Sequence, residues 1–236
     1  MRRSNPLAAA AVAMLAATAP VHATDPPPAA STAPATRTIL LVRHGYYDHA
    51  APGDEETGNG LVPIGREQAQ IVADRLVREG WRVDSLHASA LLRARQTADI
   101  VGKTLGMTPV VVRDLSECTP ATRRRDVMAK LVPGESDRCR AQLERVVARY
   151  LRPAVGAEDR LLLVCHGNVI RYLVCRALGV DPEAWLGMRI VNGGITEIEI
   201  APSGDLRLVS FNDVGHLPPD KRTGARPAPT PAPARR

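Results

Sequence analysis

Two histidines in this chain close matching apolar runs. Ile39-Leu40-Leu41-Val42-Arg43-His44-Gly45 is answered 122 positions later by Leu161-Leu162-Leu163-Val164-Cys165-His166-Gly167. An apolar run of this length reads as a strand buried on both faces, as in the centre of a parallel sheet. Such sheets bind ligands beyond the carboxyl ends of their strands. Two imidazoles at two such ends therefore predict one shared site, and Arg43 makes that site cationic, with an anion as the expected ligand. Arg93, in Ser89-Ala90-Leu91-Leu92-Arg93-Ala94, adds a second planar guanidinium suited to oxyanions. Arg95 falls on another side of the same helix and is expected in solvent. Glu117, in Asp114-Leu115-Ser116-Glu117, offers a carboxyl group for proton transfer, with Asp48, Asp54 and Glu55 as competitors. Tyr47 and Asn168, close in sequence to the two histidines, are expected to touch the ligand. His49, His87 and His216 read as structural or surface groups. No set of residues has the spacing of a metal site, so none is expected.

The elements that must position these groups alternate along the chain. Thr38–Val42 is the first strand, followed by a Gly- and acid-rich loop from Tyr46 to Asn59. Pro63 suits the first turn of a helix, which carries Ile64, Gln68, Ile71, Val72 and Leu76 and stops at Gly80. Val83–Ala88 is the next strand, and Ser89 is expected to cap a helix bearing Leu91, Leu92, Ala94, Ala98 and Ile100. A strand over Met107–Val112 comes next, then a helix with Leu143, Val146, Val147 and Tyr150 that leads into the second histidine strand. Asn168–Leu178 is helical, and Gly194–Ile200 and Leu206–Phe211 are closing strands. This order predicts a three-layer α/β/α fold with a mainly parallel central sheet and right-handed crossovers.

The ends of the 236-residue chain read differently. Arg2 and Arg3, an Ala/Leu-rich run and Val21-His22-Ala23 have the layout of a secretory signal peptide over residues 1–23, too short and too alanine-rich for a membrane span. The expected destination is the periplasm or the exterior, with N-terminal membrane anchoring as the alternative and no stable span once the signal is removed. Residues 24–36 have a Pro/Ala-rich linker composition. The domain is expected over 37–217, and residues 218–236 read as a disordered basic tail. The net charge of +6 resides in these ends: without Arg2 and Arg3, and without the tail, segment 24–217 is neutral. A neutral body with a single Phe excludes an ordinary nucleic-acid binder. Arg123-Arg124-Arg125 reads as a solvated face. Of the four cysteines, Cys165 and Cys175 read as buried thiols. Cys118 and Cys139 suit a disulfide if the chain is exported, with connectivity left open.

Taken together, Arg43-His44-Gly45, Ser89 to Ala98 with Arg93, Asp114 to Glu117 and Cys165-His166-Gly167-Asn168 resemble the histidine phosphatase, or phosphoglycerate-mutase-like, superfamily over Thr38 to Leu217. Leu61 to Ala69, Asn168 to Leu178, Glu183-Ala184-Trp185-Leu186, Asn192 to Thr196 and Pro218-Pro219-Asp220-Lys221 look like its mitochondrial serine/threonine phosphatase branch. Three departures stand out: the signal-like N-terminus, the lack of a Trp-Asp-rich multimerisation motif, and an arginine-rich stretch with two cysteines after Glu117. That branch's anchoring, filament-like assembly and protein-substrate specificity are therefore not carried over. The resemblance implies a phosphomonoesterase that needs no metal or cofactor. In it His44 is the nucleophile and forms phosphohistidine, Arg43, Arg93 and His166 hold the phosphoryl oxygens, and Glu117 is the general acid. The implied partner is a phosphorylated small molecule or a phosphoprotein, and homo-oligomerisation stays open. A non-catalytic phosphoanion-binding or scaffold module and a phosphoglycerate mutase are the alternatives.

Overall fold

The computed structural model describes residues 32–224. The expected signal peptide, most of the expected linker and residues 225–236 of the expected tail lie outside the described residues. Among the described residues, eight strands and five α-helices follow in chain order: β1 (Pro34–Ala35), β2 (Arg37–Arg43), α1 (Pro63–Arg78), β3 (Ser85–Ser89), α2 (Leu92–Leu105), β4 (Val110–Val112), α3 (Arg125–Met128), α4 (Glu135–Tyr150), β5 (Ala154–Val155), β6 (Asp159–Cys165), α5 (Gly167–Ala177), β7 (Ile195–Ile200) and β8 (Leu206–Asp213). Six strands form one sheet in the order β4-β3-β6-β2-β7-β8. The β4-β3, β3-β6 and β6-β2 pairs are parallel, and β2-β7 and β7-β8 are antiparallel.

The two histidine strands show why the sheet is sandwiched. Side chains alternate across a strand, so Ile39 and Leu41 of β2, with Leu161, Leu163 and Cys165 of β6, join Leu143, Val146, Tyr150, Ile170 and Leu173 of α4 and α5 in one buried cluster. Leu40, Val42, Leu162 and Val164 join Val72, Leu76, Ala94, Ala98 and Val101 of α1 and α2 in the other. Both faces of each strand are covered, which is why the runs lack polar alternation. The β2-β6 register pairs Arg37 with Asp159 at one end and Arg43 with Cys165 at the other. At the first end the Arg37 guanidinium makes a bidentate pair with Asp159, at 2.8 and 2.7 Å. At the second end the next residues out are His44 and His166, so register alone brings the two imidazoles side by side.

Several expected boundaries are corrected. Pro34–Ala35, assigned to the linker, pair antiparallel with Ala154–Val155. Residues 218–224, assigned to the disordered tail, are ordered against the domain: Pro219–Lys221 form a 3-10 turn, and Gln68 Nε2 donates to the Lys221 carbonyl at 2.6 Å and to Thr223 Oγ1 at 2.8 Å. A Pro-rich composition lowers helix and strand propensity but does not prevent capture by buried polar side chains. The strand expected over Met107–Val112 starts only at Val110, because the Met107 N–H closes α2 on Gly102 and Pro109 has no N–H to give.

Cys118 and Cys139 are joined in a disulfide with a Cα–Cα distance of 5.5 Å, while Cys165 and Cys175 are free and buried. The bridge ties the segment after Glu117 to α4. Closing a loop with a sequence separation of 21 is worth about 3 kcal/mol through the unfolded chain. The double variant Cys118→Ala/Cys139→Ala is therefore expected to melt roughly 6–12 °C lower by calorimetry, at about 2–4 °C per kcal/mol for a chain of this size. An unchanged melting temperature would show that the bridge adds nothing to stability.

Candidate active site

His44 follows β2 and is buried. Its backbone is held from all sides: His44 N donates to the Cys165 carbonyl at 3.0 Å, and Asn192 Nδ2 donates to the His44 carbonyl at 2.9 Å. Gly45 N donates to Thr97 Oγ1 at 3.0 Å, and Tyr46 N to Gln68 Oε1 at 2.8 Å. The loop also presses on the first turn of α1, where a Cβ on Gly45 would lie 2.2 Å from the Gly65 carbonyl oxygen. Only glycine permits that approach.

These restraints fix the imidazole chemically. Nδ1 lies 2.7 Å from the Gly45 carbonyl oxygen, which can only accept, so Nδ1 carries the proton. Nε2 is left with its lone pair and accepts from Arg93 Nε at 3.3 Å. Burial first, then the neighbouring Arg43 and Arg93, hold the His44 pKa well below its ordinary value, against the opposing Gly45 hydrogen bond. The ring is neutral at neutral pH, with a nucleophilic nitrogen facing a guanidinium.

His166 follows β6 and is the N-cap residue of α5, and its ring centroid lies 4.9 Å from that of His44. Its Nε2 is 2.7 Å from Ser89 Oγ, and its Nδ1 is buried with no hydrogen-bond partner among the described residues. Arg43 donates from Nη1 to the Ile190 carbonyl, while its buried Nε has no partner among the described residues. Arg93 is buried and lies over the Tyr47 ring, 4.4 Å from its centroid. Tyr47 also meets the His44 ring edge-on at 5.4 Å. The N-terminus of α5 adds its positive end to this cluster. The unpaired Arg43 Nε and the unpaired His166 ring nitrogen, beside the Arg93 guanidinium, form a pocket suited to a multiply charged oxyanion.

Glu117 stands at the rim, after a 3-10 turn at Arg113–Leu115. The Asn168 N–H donates to its Oε1 at 3.0 Å. Burial pushes its pKa up to about 7, against that hydrogen bond and the attraction of Arg43, Arg93 and Arg171. The competing carboxylates are engaged elsewhere or exposed. Asp48 caps its own turn at Ala50, Asp54 accepts from Glu56, from the Thr57 backbone and from the Thr57 hydroxyl, and Glu55 is exposed.

The structure thus brings Arg43, His44, Tyr47, Arg93, Glu117 and His166 together. Asn168 also braces the Glu117 segment: its Nδ2 donates to the Cys118 carbonyl at 2.9 Å and its Oδ1 accepts from Arg171 at 3.1 Å. Arg95 and Arg123–Arg125 are exposed, as expected. His87 pairs with the Tyr150 hydroxyl, His216 with Arg75 and the Gly193 carbonyl, and His49 stacks on Tyr47. Sequence reasoning missed Ser89 as a partner of His166, Gln68, Thr97 and Asn192 as supports of the His44 loop, and Arg171 beside Glu117. Ser89 was read as a helix cap, but the cap residue of α2 is Leu91. Asn192 carried a signal in the Asn192-Gly193-Gly194 motif.

The model of the histidine phosphatase superfamily (branch 1) matches residues 39–121 and 122–214. The mitochondrial serine/threonine-protein phosphatase PGAM5 of Rattus norvegicus is 36% identical over 198 residues, covering 81% of this chain and 67% of the relative. The Caenorhabditis elegans protein of the same name is also 36% identical over 198 residues, covering 80% and 67%. A crystal structure of phosphoglycerate mutase from Plasmodium falciparum superposes with a TM-score of 0.54 at 27% identity, covering 78% of this chain and 95% of that one. The periplasmic or secreted destination expected from the N-terminal segment, with its anchored alternative, is corrected by these curated relatives, which are mitochondrial proteins. Among the described residues no helix is long and apolar enough to cross a membrane. With three quarters of its length matched to the superfamily model, the chain belongs to the histidine phosphatase superfamily, branch 1.

Proposed function

We propose that this chain is a phosphomonoesterase that passes the phosphoryl group through His44. The observation that carries the reading is the fixed tautomer of His44, with Nδ1–H on the Gly45 carbonyl and Nε2 open beside Arg93. The phosphoryl oxygens sit among Arg43, Arg93 and His166, where preorganised cationic donors match the charge spread over the transferring group. His44 Nε2 attacks phosphorus, the bond to the ester oxygen breaks, and its electron pair leaves with that oxygen. Glu117, protonated, gives its proton to the departing oxygen. The phosphoimidazole gains positive character that the Gly45 carbonyl stabilises. In the second half, Glu117 as carboxylate takes a proton from water, the water oxygen attacks phosphorus, and the electrons of the P–N bond return to Nε2. A pKa of about 7 lets one carboxyl group serve both halves.

The names of the curated relatives support phosphoserine or phosphothreonine in proteins as the substrate class. They also favour water over a second phosphoglycerate as acceptor, since these phosphatases share 36% identity with the chain and the mutase 27%. The domain is proposed to extend to Gly224, seven residues beyond the expected limit at Leu217.

The test is turnover of a small aryl phosphate and of a panel of phosphoproteins by the full chain in excess chelator. Hydrolysis at an undiminished rate is expected, because Arg43 and Arg93 supply the positive charge. Loss of activity on chelation, restored by a divalent ion, rejects the metal-independent mechanism. Tight phosphate binding without turnover favours a non-catalytic phosphoanion-binding module instead.

A further inference from the structure

Ser89 ends β3, and its side chain is fully buried. Its Oγ lies 2.7 Å from Nε2 of His166, which is also fully buried. The same oxygen accepts the Leu91 N–H at 3.2 Å and stands 3.4 Å from Ser116 Oγ. The other ring nitrogen of His166, Nδ1, has no hydrogen-bond partner among the described residues.

Burial, with His44, Arg93 and Arg43 nearby, lowers the His166 pKa well below its ordinary value, so the resting ring is neutral. A neutral imidazole has one proton for two nitrogens, and a hydrogen bond to one decides the role of the other. With the proton on Nε2, Nδ1 would meet a phosphoryl oxygen as acceptor against acceptor. With the proton on Nδ1, the ring donates to that oxygen. The choice falls to Ser89, which already receives the Leu91 N–H and has one proton to give. Its two acceptors differ in reach: His166 Nε2 is at 2.7 Å, while Ser116 Oγ at 3.4 Å is beyond the usual O–H···O range.

We propose that Ser89 is a positioning residue, whose hydroxyl donates to His166 Nε2 and so holds the ring in the Nδ1–H form that binds the phosphoryl group. The role of the ring rests on the phosphatase reading, whereas the tautomer itself is a property of the resting protein. The test is 15N spectroscopy of the full chain labelled at histidine, with the His166 signals assigned by His166→Gln. Wild-type His166 is expected to show a protonated Nδ1 and an unprotonated Nε2. Ser89→Ala is expected to populate the Nε2–H form and to slow single-turnover phosphorylation of His44 about tenfold, the scale of one neutral hydrogen bond. Ser89→Thr, which keeps the hydroxyl, is expected to restore the tautomer and most of the rate. A wild-type His166 protonated at Nε2 overturns the proposal whether or not any variant folds. So does a Ser89→Ala protein that keeps the wild-type tautomer. If the wild-type tautomer is as expected but no ester is turned over, the phosphatase reading fails and the hydrogen-bond assignment stands.

Discussion

His44→Ala is expected to abolish turnover, and wild-type protein quenched during turnover is expected to carry an acid-labile, base-stable phosphoryl group on His44. The effect is large because one side chain supplies the only nucleophile in the scheme, and its surroundings are built around a single ring nitrogen. Nδ1 is committed to Gly45, and Nε2 faces Arg93. Burial and the adjacent arginines depress the ring's pKa, so protonation removes the nucleophile only below its ordinary value near 6.5. The acidic limb of the phosphorylation rate should accordingly lie below pH 6.5. Arg93→Ala and His166→Ala remove one transition-state donor each, and each is expected to cost at least about 100-fold. An acid-stable phosphoester, or label retained in His44→Ala, would assign the nucleophile to another residue.

The parts of this site that could be read from sequence are those fixed by strand register. Two apolar runs buried on both faces had to lie in one sheet interior, and a His-Gly after each had to emerge at a strand end. Arg93 was legible because it lies in the first turn of a helix that directly follows a strand. The supporting polar network was not legible, because its partners are joined only by folding. Gln68 reaches Lys221 and Thr223 across more than 150 positions, and Asn192 reaches the His44 carbonyl across 148. The Asn192-Gly193-Gly194 motif marked one member, but nothing local in the sequence marks which residues such groups pair with. Asn168 shows the same limit: on the first turn of α5 its amide meets the Cys118 carbonyl, a contact that its place beside His166 did not announce.

The Cys118–Cys139 bridge belongs to that same bracing. Cys118 follows Glu117 directly, its sulfur is tied to α4 and its carbonyl to Asn168. The acid is thereby held on a segment that contributes no strand to the sheet.

Glu117→Gln is expected to slow phosphorylation of His44 by at least about 100-fold for esters of alkyl alcohols, and far less for nitrophenyl phosphate. General acid catalysis is worth roughly 10²–10⁴-fold where the leaving oxygen needs its proton in the transition state, and little where the anion departs unaided. The pH dependence follows from the direction of the shift. The Glu117 pKa is raised to about 7, so the acid form prevails below that pH and is lost as pH rises through it. Wild-type phosphorylation by an alkyl ester should therefore fall above about pH 7, and the Gln variant should be flat there. The same shift has a consequence for stability. The native carboxyl group holds its proton more tightly than the unfolded one, so its favourable contribution is complete below the unfolded pKa and is lost as pH rises through about 7. Glu117→Gln should accordingly gain thermal stability relative to wild type at pH 8 compared with pH 5. Single-turnover measurement is the right assay, since hydrolysis of phosphohistidine can limit the steady state and hide the first step. Equal losses for both leaving groups in the phosphorylation step would remove Glu117 from the acid role and return Asp48, Asp54 and Glu55 to consideration.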